Sequence, residues 1–177
     1  MMAEFKKLEQ KDLMGDPSVL KVNPFELIGK EWYLITGGNM EHYNTMTASW
    51  GTMGIFWGKP VVNSFIRPQR YTFEFLEQGE LFTLSFFRGE TYRPALNFCG
   101  SHSGRDYDKA KECGLTARDF DGAVGFEEAD MVLVCRKMYA YDIKPEEMID
   151  KEIEKWYPEH DYHHCYFAEV QSAYLKK

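Results

Sequence analysis

Hydrophobic and polar positions alternate with a two-residue period through much of this chain. Along Asn44, Thr45, Met46, Thr47, Ala48, Ser49 and Trp50 the small hydroxyl residues Thr45, Thr47 and Ser49 fall on one side, and Met46, Ala48 and Trp50 on the other. This is the pattern of a strand that buries one face and offers hydroxyl groups on the other. The same reading predicts strands over Glu31–Thr36, Lys59–Ile66, Glu80–Phe86, Ala129–Tyr141 and Asp161–Tyr174, with Gly37 and Gly38 ending the first and a loop over Asn39–Tyr43. Gly51, Gly54 and Gly58 fall within eight residues and mark a hairpin or a close backbone approach. Helical segments are expected over Gln69–Gln78, with Pro68 in the first turn and Gly79 as its cap, and over Arg93–Phe98. A further helix carries Lys109 and ends near Gly114, with Asp106 as a possible N-cap. Lys144–Trp156 is read as a helix whose Met148, Ile149 and Ile153 meet the core. Residues 1–24 form a polar lead-in that wraps the surface, and residues 25–177 a single domain. Many strands separated by short helices favour an antiparallel barrel over a doubly wound sheet.

Composition sharpens this picture. The 177 residues suffice for one sizeable core, and aromatic residues make up 16% of them, a share that suits strands and pockets for flat ligands. A formal charge of -7 sets the chain's field against nucleic acid or an anionic membrane surface. No run reaches the length of a membrane span, and the N-terminal segment has no apolar stretch of signal-peptide kind. Cys99, Cys113, Cys135 and Cys165 stand far apart, which writes neither a disulfide framework nor a zinc knuckle and points to a reducing cytoplasm.

Two stretches could hold an anion. Arg67 and Arg70 flank the start of the Gln69 helix, where unpaired N–H groups add positive charge, although Arg70 could instead pair with Glu74 one turn on. The stretch from Cys99 to Lys109 combines glycines with Ser101, Ser103, Arg105 and Lys109, but lacks the ending of a Walker loop and also reads as a plain polar turn. His160, His163, His164 and Cys165 are metal-ligating types, yet on a strand His163 and Cys165 share a face while His164 points away, so no metal is assigned. No nucleophile–base or paired-carboxylate constellation stands out.

Five segments in series, N-x-M-T-A-S-W at Asn44–Trp50, W-G-K-P-V-V at Trp57–Val62, F-I-R-P-x-R-Y-T at Phe65–Thr72, F-T-L-S-F at Phe82–Phe86 and S-G-R-D-x-D-K at Ser103–Lys109, resemble the flavin reductase-like family. The resemblance spans roughly residues 25 to 170. It implies a mainly β, antiparallel Greek-key split barrel with a few peripheral helices, and FMN as cofactor. On this resemblance the cofactor residues are Asn44, Thr45, Met46, Thr47, Ala48, Ser49, Trp50, Arg67, Tyr71, Thr72, Cys99, Ser101, Ser103, Gly104, Arg105 and Lys109. Similar proteins carry a histidine five residues before a Gly-Glu-Val near the nicotinamide or substrate. His163 holds that position, although Ala168 replaces the glycine. The resemblance implies a homodimer with FMN near the subunit interface, and two activities. One is an NADH- or NADPH-dependent flavin reductase passing electrons to a second acceptor; the other is a flavoredoxin-like carrier reduced by a protein partner. Hydride transfer to a flavin requires that the ring be held with a face open, so the missing acid–base constellation is no obstacle.

Overall fold

The computed structural model describes residues 3–177. In chain order it contains β1 (Phe5–Glu9), α1 (Gln10–Gly15), α2 (Pro24–Glu26, continued as a π turn over Leu27–Glu31), β2 (Tyr33–Gly38), β3 (Tyr43–Ala48), β4 (Gly51–Phe56), β5 (Lys59–Ile66), α3 (Tyr71–Gln78) and β6 (Leu81–Phe86). There follow α4 (Arg93–Ser101), α5 (Lys109–Glu112), β7 (Ala117–Phe120), β8 (Ala123–Phe126), β9 (Met131–Asp142), 3-10 turns over Pro145–Glu147 and Lys151–Trp156, and β10 (His164–Lys176).

Every strand pairing is antiparallel, and the main sheet runs β3-β2-β6-β9-β10-β5-β4, with β1 added beside β10. The two ends of that path, β3 and β4, are joined in the chain by Ser49 and Trp50 alone. A flat sheet would hold them about 29 Å apart, at about 4.8 Å per strand, whereas the link from Ala48 to Gly51 reaches about 11 Å at most. The sheet must therefore roll until its edges approach each other, giving a barrel with an open seam at Ser49 and Trp50. Residues of β9 show how it is filled: Met131, Leu133 and Cys135 belong to the interior core with Tyr33, Ile35 and Phe86, whereas Val132 and Val134 point outward into a second core. That outer core lies under α4, α5 and the β7–β8 hairpin, and includes Leu34, Leu96 and Phe126. Burial on both faces accounts for the long apolar run in β9, which alternation alone would not produce.

Several expectations require correction. The lead-in contributes a strand, since Phe5–Glu9 pairs with Ser172–Lys176 and adds an edge to the sheet. Gly37 and Gly38 lie inside β2 rather than beyond it. The expected helix at Gln69 begins at Tyr71, because residues 68–70 form a turn in which Arg70 N–H donates to Arg67 O at 3.0 Å. Gly79 is the C-cap residue, as expected, but it is extended, with φ -125°, rather than left-handed. The helix carrying Lys109 is capped by Asp108, whose side chain accepts from Lys111 N, and not by Asp106. Lys144–Trp156 is not one helix: Met148 is buried, but Ile149 is 100% exposed and Ile153 41%. Ile149 and Ile153 stand four residues apart, as on one helix face, but neither is buried, so no core face holds a helix there. The β7–β8 hairpin was not expected, although Asp121 and Gly122 at its tip, with φ 55° and 87°, form the Asp-Gly turn that such a connection favours.

Candidate functional site

The site lies along β3 and the seam that follows it. As the period predicts, Met46 and Ala48 face the interior core. The opposite face is not open, however, because α4 covers it. Thr45 Oγ1 lies 2.9 Å from Thr36 Oγ1 and donates to Ile35 O at 3.2 Å, while Thr47 Oγ1 donates to Leu96 O on α4 at 2.5 Å. The hydroxyl groups thus tie elements together instead of forming a free polar face. What β3 leaves available is an edge. Its one strand partner among the described residues is β2, so the backbone amides and carbonyls on its other side have no ladder.

At the seam the backbone is held by Tyr33, whose hydroxyl donates to Trp50 O at 2.7 Å; Gly51 permits this, since a Cβ there would stand 3.0 Å from the same hydroxyl oxygen. The expected inward position of Trp50 is not observed. Lying past the end of β3, the side chain is 40% exposed and packs edge-on against Trp156 and beside the His163 ring, with centroids 5.5 and 5.2 Å away.

The run Met46–Trp50 together with Phe65, Arg67, Arg70 and His163 lines a concavity of about 270 Å³. His163 immediately precedes β10 and is buried. Its Nδ1 shares a hydrogen bond of 2.9 Å with the Tyr157 hydroxyl, and burial, with the Arg67 guanidinium nearby, lowers its pKa to about 4. At neutral pH it is an uncharged imidazole fixed at one nitrogen. Arg67 is already engaged: it forms an ion pair with Asp161, donates to Trp156 O at 2.8 Å and stands over the Tyr157 ring at 5.4 Å. These contacts pin the irregular segment after β9 against the site. Arg70 differs. It donates to Gly100 O at 2.7 Å, has no ion-pair partner among the described residues, and burial lowers its pKa. It does not pair with Glu74.

A second, more polar concavity of about 380 Å³ collects Asn44, Thr45, Tyr71, Gly104, Arg105 and Lys109 near the other end of β3. Here the protein satisfies its own polar groups. Asn44 Nδ2 donates to Thr72 Oγ1 at 2.8 Å, and a Cβ on Gly104 would overlap Asn44 Oδ1, so only glycine allows this approach. Arg105 pairs with Glu74 and stands over the Tyr71 ring at 4.4 Å. Lys109 is buried and donates to Thr45 O at 2.9 Å and Cys99 O at 3.0 Å, and burial lowers its pKa to about 8. Ser101 Oγ donates back to Asn97 O at 2.8 Å, Ser103 Oγ accepts from Arg105 N at 3.2 Å, and Cys99 is fully buried, its Sγ 3.8 Å from that of Cys113.

Of the sequence-derived residues, Met46–Trp50, Arg67 and His163 line the smaller concavity and Asn44, Thr45, Tyr71, Gly104, Arg105 and Lys109 the more polar one, whereas Thr72, Cys99, Ser101 and Ser103 line neither. Phe65, Arg70, Tyr157 and Asp161 belong with them but were not among the cofactor residues named from the sequence. Arg70 lies within the motif at Phe65–Thr72, whereas Tyr157 and Asp161 belong to an irregular segment without periodicity and could be found only through their tertiary contacts. The histidine and cysteine side chains of the last strand diverge: His160 turns to Tyr162, His164 pairs with Asp142, and Cys165 is buried. Among the described residues no three metal-ligating side chains converge, and no helix is long and apolar enough to cross a membrane.

The arrangement can hold a flat, amide-bearing ring against a strand edge, between aromatic side chains, with a guanidinium nearby for an anionic tail. Solved structures with the same fold include a flavin reductase-like enzyme with an FMN-binding domain from Shewanella baltica, 17% identical, covering 99% of this chain and 78% of that one with a TM-score of 0.66. Flavoredoxin from Methanosarcina acetivorans is 17% identical over 83% of this chain and 69% of that one, TM-score 0.65. An FMN-binding protein from Thermus thermophilus with bound p-hydroxybenzaldehyde is 20% identical over 82% and 71%, TM-score 0.65. No curated protein sequence matches. The family model described as a flavin reductase like domain matches residues 26–176, nearly the whole chain, and on that match the chain belongs to the flavin reductase-like family.

Proposed function

We propose that the protein binds FMN along the open edge of β3 and transfers electrons through it, accepting hydride from NADH or NADPH and passing electrons to a second acceptor. The observation that carries this reading is the combination, in one concavity, of an unladdered strand edge, the aromatic groups Trp50, Phe65 and His163, and Arg70 without an acidic partner. Backbone amides and carbonyls suit the pyrimidine edge of a flavin, aromatic side chains bound its faces, and a desolvated guanidinium gains from a phosphate more than a solvated one would. FMN would supply the redox chemistry. The chain's own residues hold and orient: β3 lies along the ring, Arg70 meets the phosphate, and His163, neutral and fixed by Tyr157, offers one imidazole nitrogen beside the reacting face. His163 thereby positions the donor without titrating near neutral pH.

The protein is further proposed to act as a homodimer. Phe56, Trp57 and Tyr139 are each about half exposed and form a continuous aromatic cluster with Phe167 near the tip of the β4–β5 hairpin, a surface that water covers poorly. Anaerobic mixing tests the main reading. Purified protein loaded with FMN should lose its flavin absorbance on addition of NADH or NADPH, and a holoprotein bleached by dithionite but by neither nucleotide would instead indicate a carrier reduced by a protein partner.

A further inference from the structure

A larger cleft adjoins the proposed flavin concavity on the other side of the seam. Its volume is about 710 Å³, within the range of small-molecule sites. Phe25, Ile28, Met53, Phe65, Ile143 and Tyr157 form much of its wall, and it shares Ser49, Trp50 and Phe65 with the smaller concavity. None of the residues lining it carries a charge, whereas Arg67 and Arg70 both line the neighbouring concavity. Phe25, 89% exposed, stands at the cleft beside Ile28, Trp50 and Met53, so the wall it completes is largely apolar.

We propose that this cleft binds an uncharged, planar aromatic compound, the small-molecule electron acceptor that the flavin centre would serve. The role as acceptor rests on the proposed FMN site; the binding itself rests on the cleft. A carboxylate, sulfonate or phosphate entering it would give up water without meeting a cation, so charged compounds of the same shape are excluded. The same argument places the diphosphate of NADH or NADPH, and the phosphate of a second FMN, outside the cleft. The hydroxyls of Ser49 and Thr52 remain as partners for a neutral carbonyl or phenol on the ligand.

Isothermal titration with 2-naphthol and with 2-naphthoate at neutral pH, with FMN in excess so that the concavity beside Arg67 and Arg70 is filled, separates these possibilities, since the two compounds share a ring system and differ in charge. 2-Naphthol should bind at least tenfold more tightly than 2-naphthoate. Thr52→Arg, at an exposed position of β4, should erase that preference, and Phe25→Ala should weaken 2-naphthol severalfold, with unchanged urea unfolding showing that both variants fold. Equal affinity for the two compounds, or 2-naphthol binding indifferent to both substitutions, would overturn the proposal. So would 2-naphthol affinity that falls as protein concentration rises, because a second copy of the chain would then be covering the cleft. Titration with FMN runs alongside: FMN binding without 2-naphthol binding defeats the cleft alone, whereas 2-naphthol binding without FMN binding leaves the cleft standing and defeats the flavin reading.

Discussion

The two concavities along β3 draw on the same sequence motifs but use their polar residues in opposite ways. In the one around Gly104 and Lys109, Asn44 is spent on Thr72, Arg105 on Glu74, and Lys109 on two main-chain carbonyls. In the one around Trp50 and His163, Arg67 is spent on Asp161, but Arg70 and the β3 edge retain capacity. A motif residue is therefore not automatically a ligand residue. The Ser103–Lys109 segment ties α4 and α5 to β3 through the two bonds of Lys109 to Thr45 O and Cys99 O.

Substitutions can break this contrast, beginning with the largest effect. Arg70→Gln should weaken FMN roughly 10- to 150-fold, the worth of one charge-assisted hydrogen bond, while scarcely changing riboflavin, which has no phosphate; calorimetric titration reads both. Acidification should also cost stability through His163. With its pKa at about 4 in the folded chain against about 6.5 unfolded, the unfolded state binds more protons between those values. Stability should fall as pH drops from 6.5 towards 4, by up to about 3 kcal/mol from this group, and His163→Gln should remove that part of the slope in urea midpoints. The groups facing His163 are Tyr157, Arg67 and Asp161, and Asp161, whose pKa is lowered, adds its own loss only below the ordinary aspartate range.

Lys109→Met should destabilise the fold by about 2 kcal/mol, since it strips donors from two carbonyls, yet it should leave the ratio of FMN to riboflavin affinity intact. An altered ratio would make Lys109 a phosphate ligand and dissolve the contrast. Thr47→Val is expected to cost about 1 kcal/mol of stability for its bond to Leu96 O. It should alter FMN and riboflavin binding alike.

Much of the scaffold was legible. Lys59–Ile66 matches the expected strand residue for residue, and β6 and β9 agree within two residues, because a period of two in a buried sheet is a strong signal. The Asp121-Gly122 hairpin was equally legible and was missed. The site was legible only as a set of residue types. That Arg67 meets Asp161 and Arg105 meets Glu74 depends on segments 94 and 31 residues apart, and nothing local in the chain marks either pairing. The segment from Ile143 to His163, which brings Tyr157 to His163, is held by such contacts rather than by periodicity, so sequence pattern could neither shape it as a helix nor connect it to the site.

The most direct test of the contrast is a parallel titration of the FMN-free protein and its Arg70→Gln and Arg105→Gln variants with FMN and riboflavin. Arg70→Gln should lose tenfold or more in FMN affinity with riboflavin unchanged, and Arg105→Gln, which loses its bridge to Glu74 and its place over the Tyr71 ring, should bind both ligands as the unaltered protein does. The reverse pattern, with the FMN-specific loss in Arg105→Gln, would contradict the account by placing the phosphate in the concavity described here as self-satisfied.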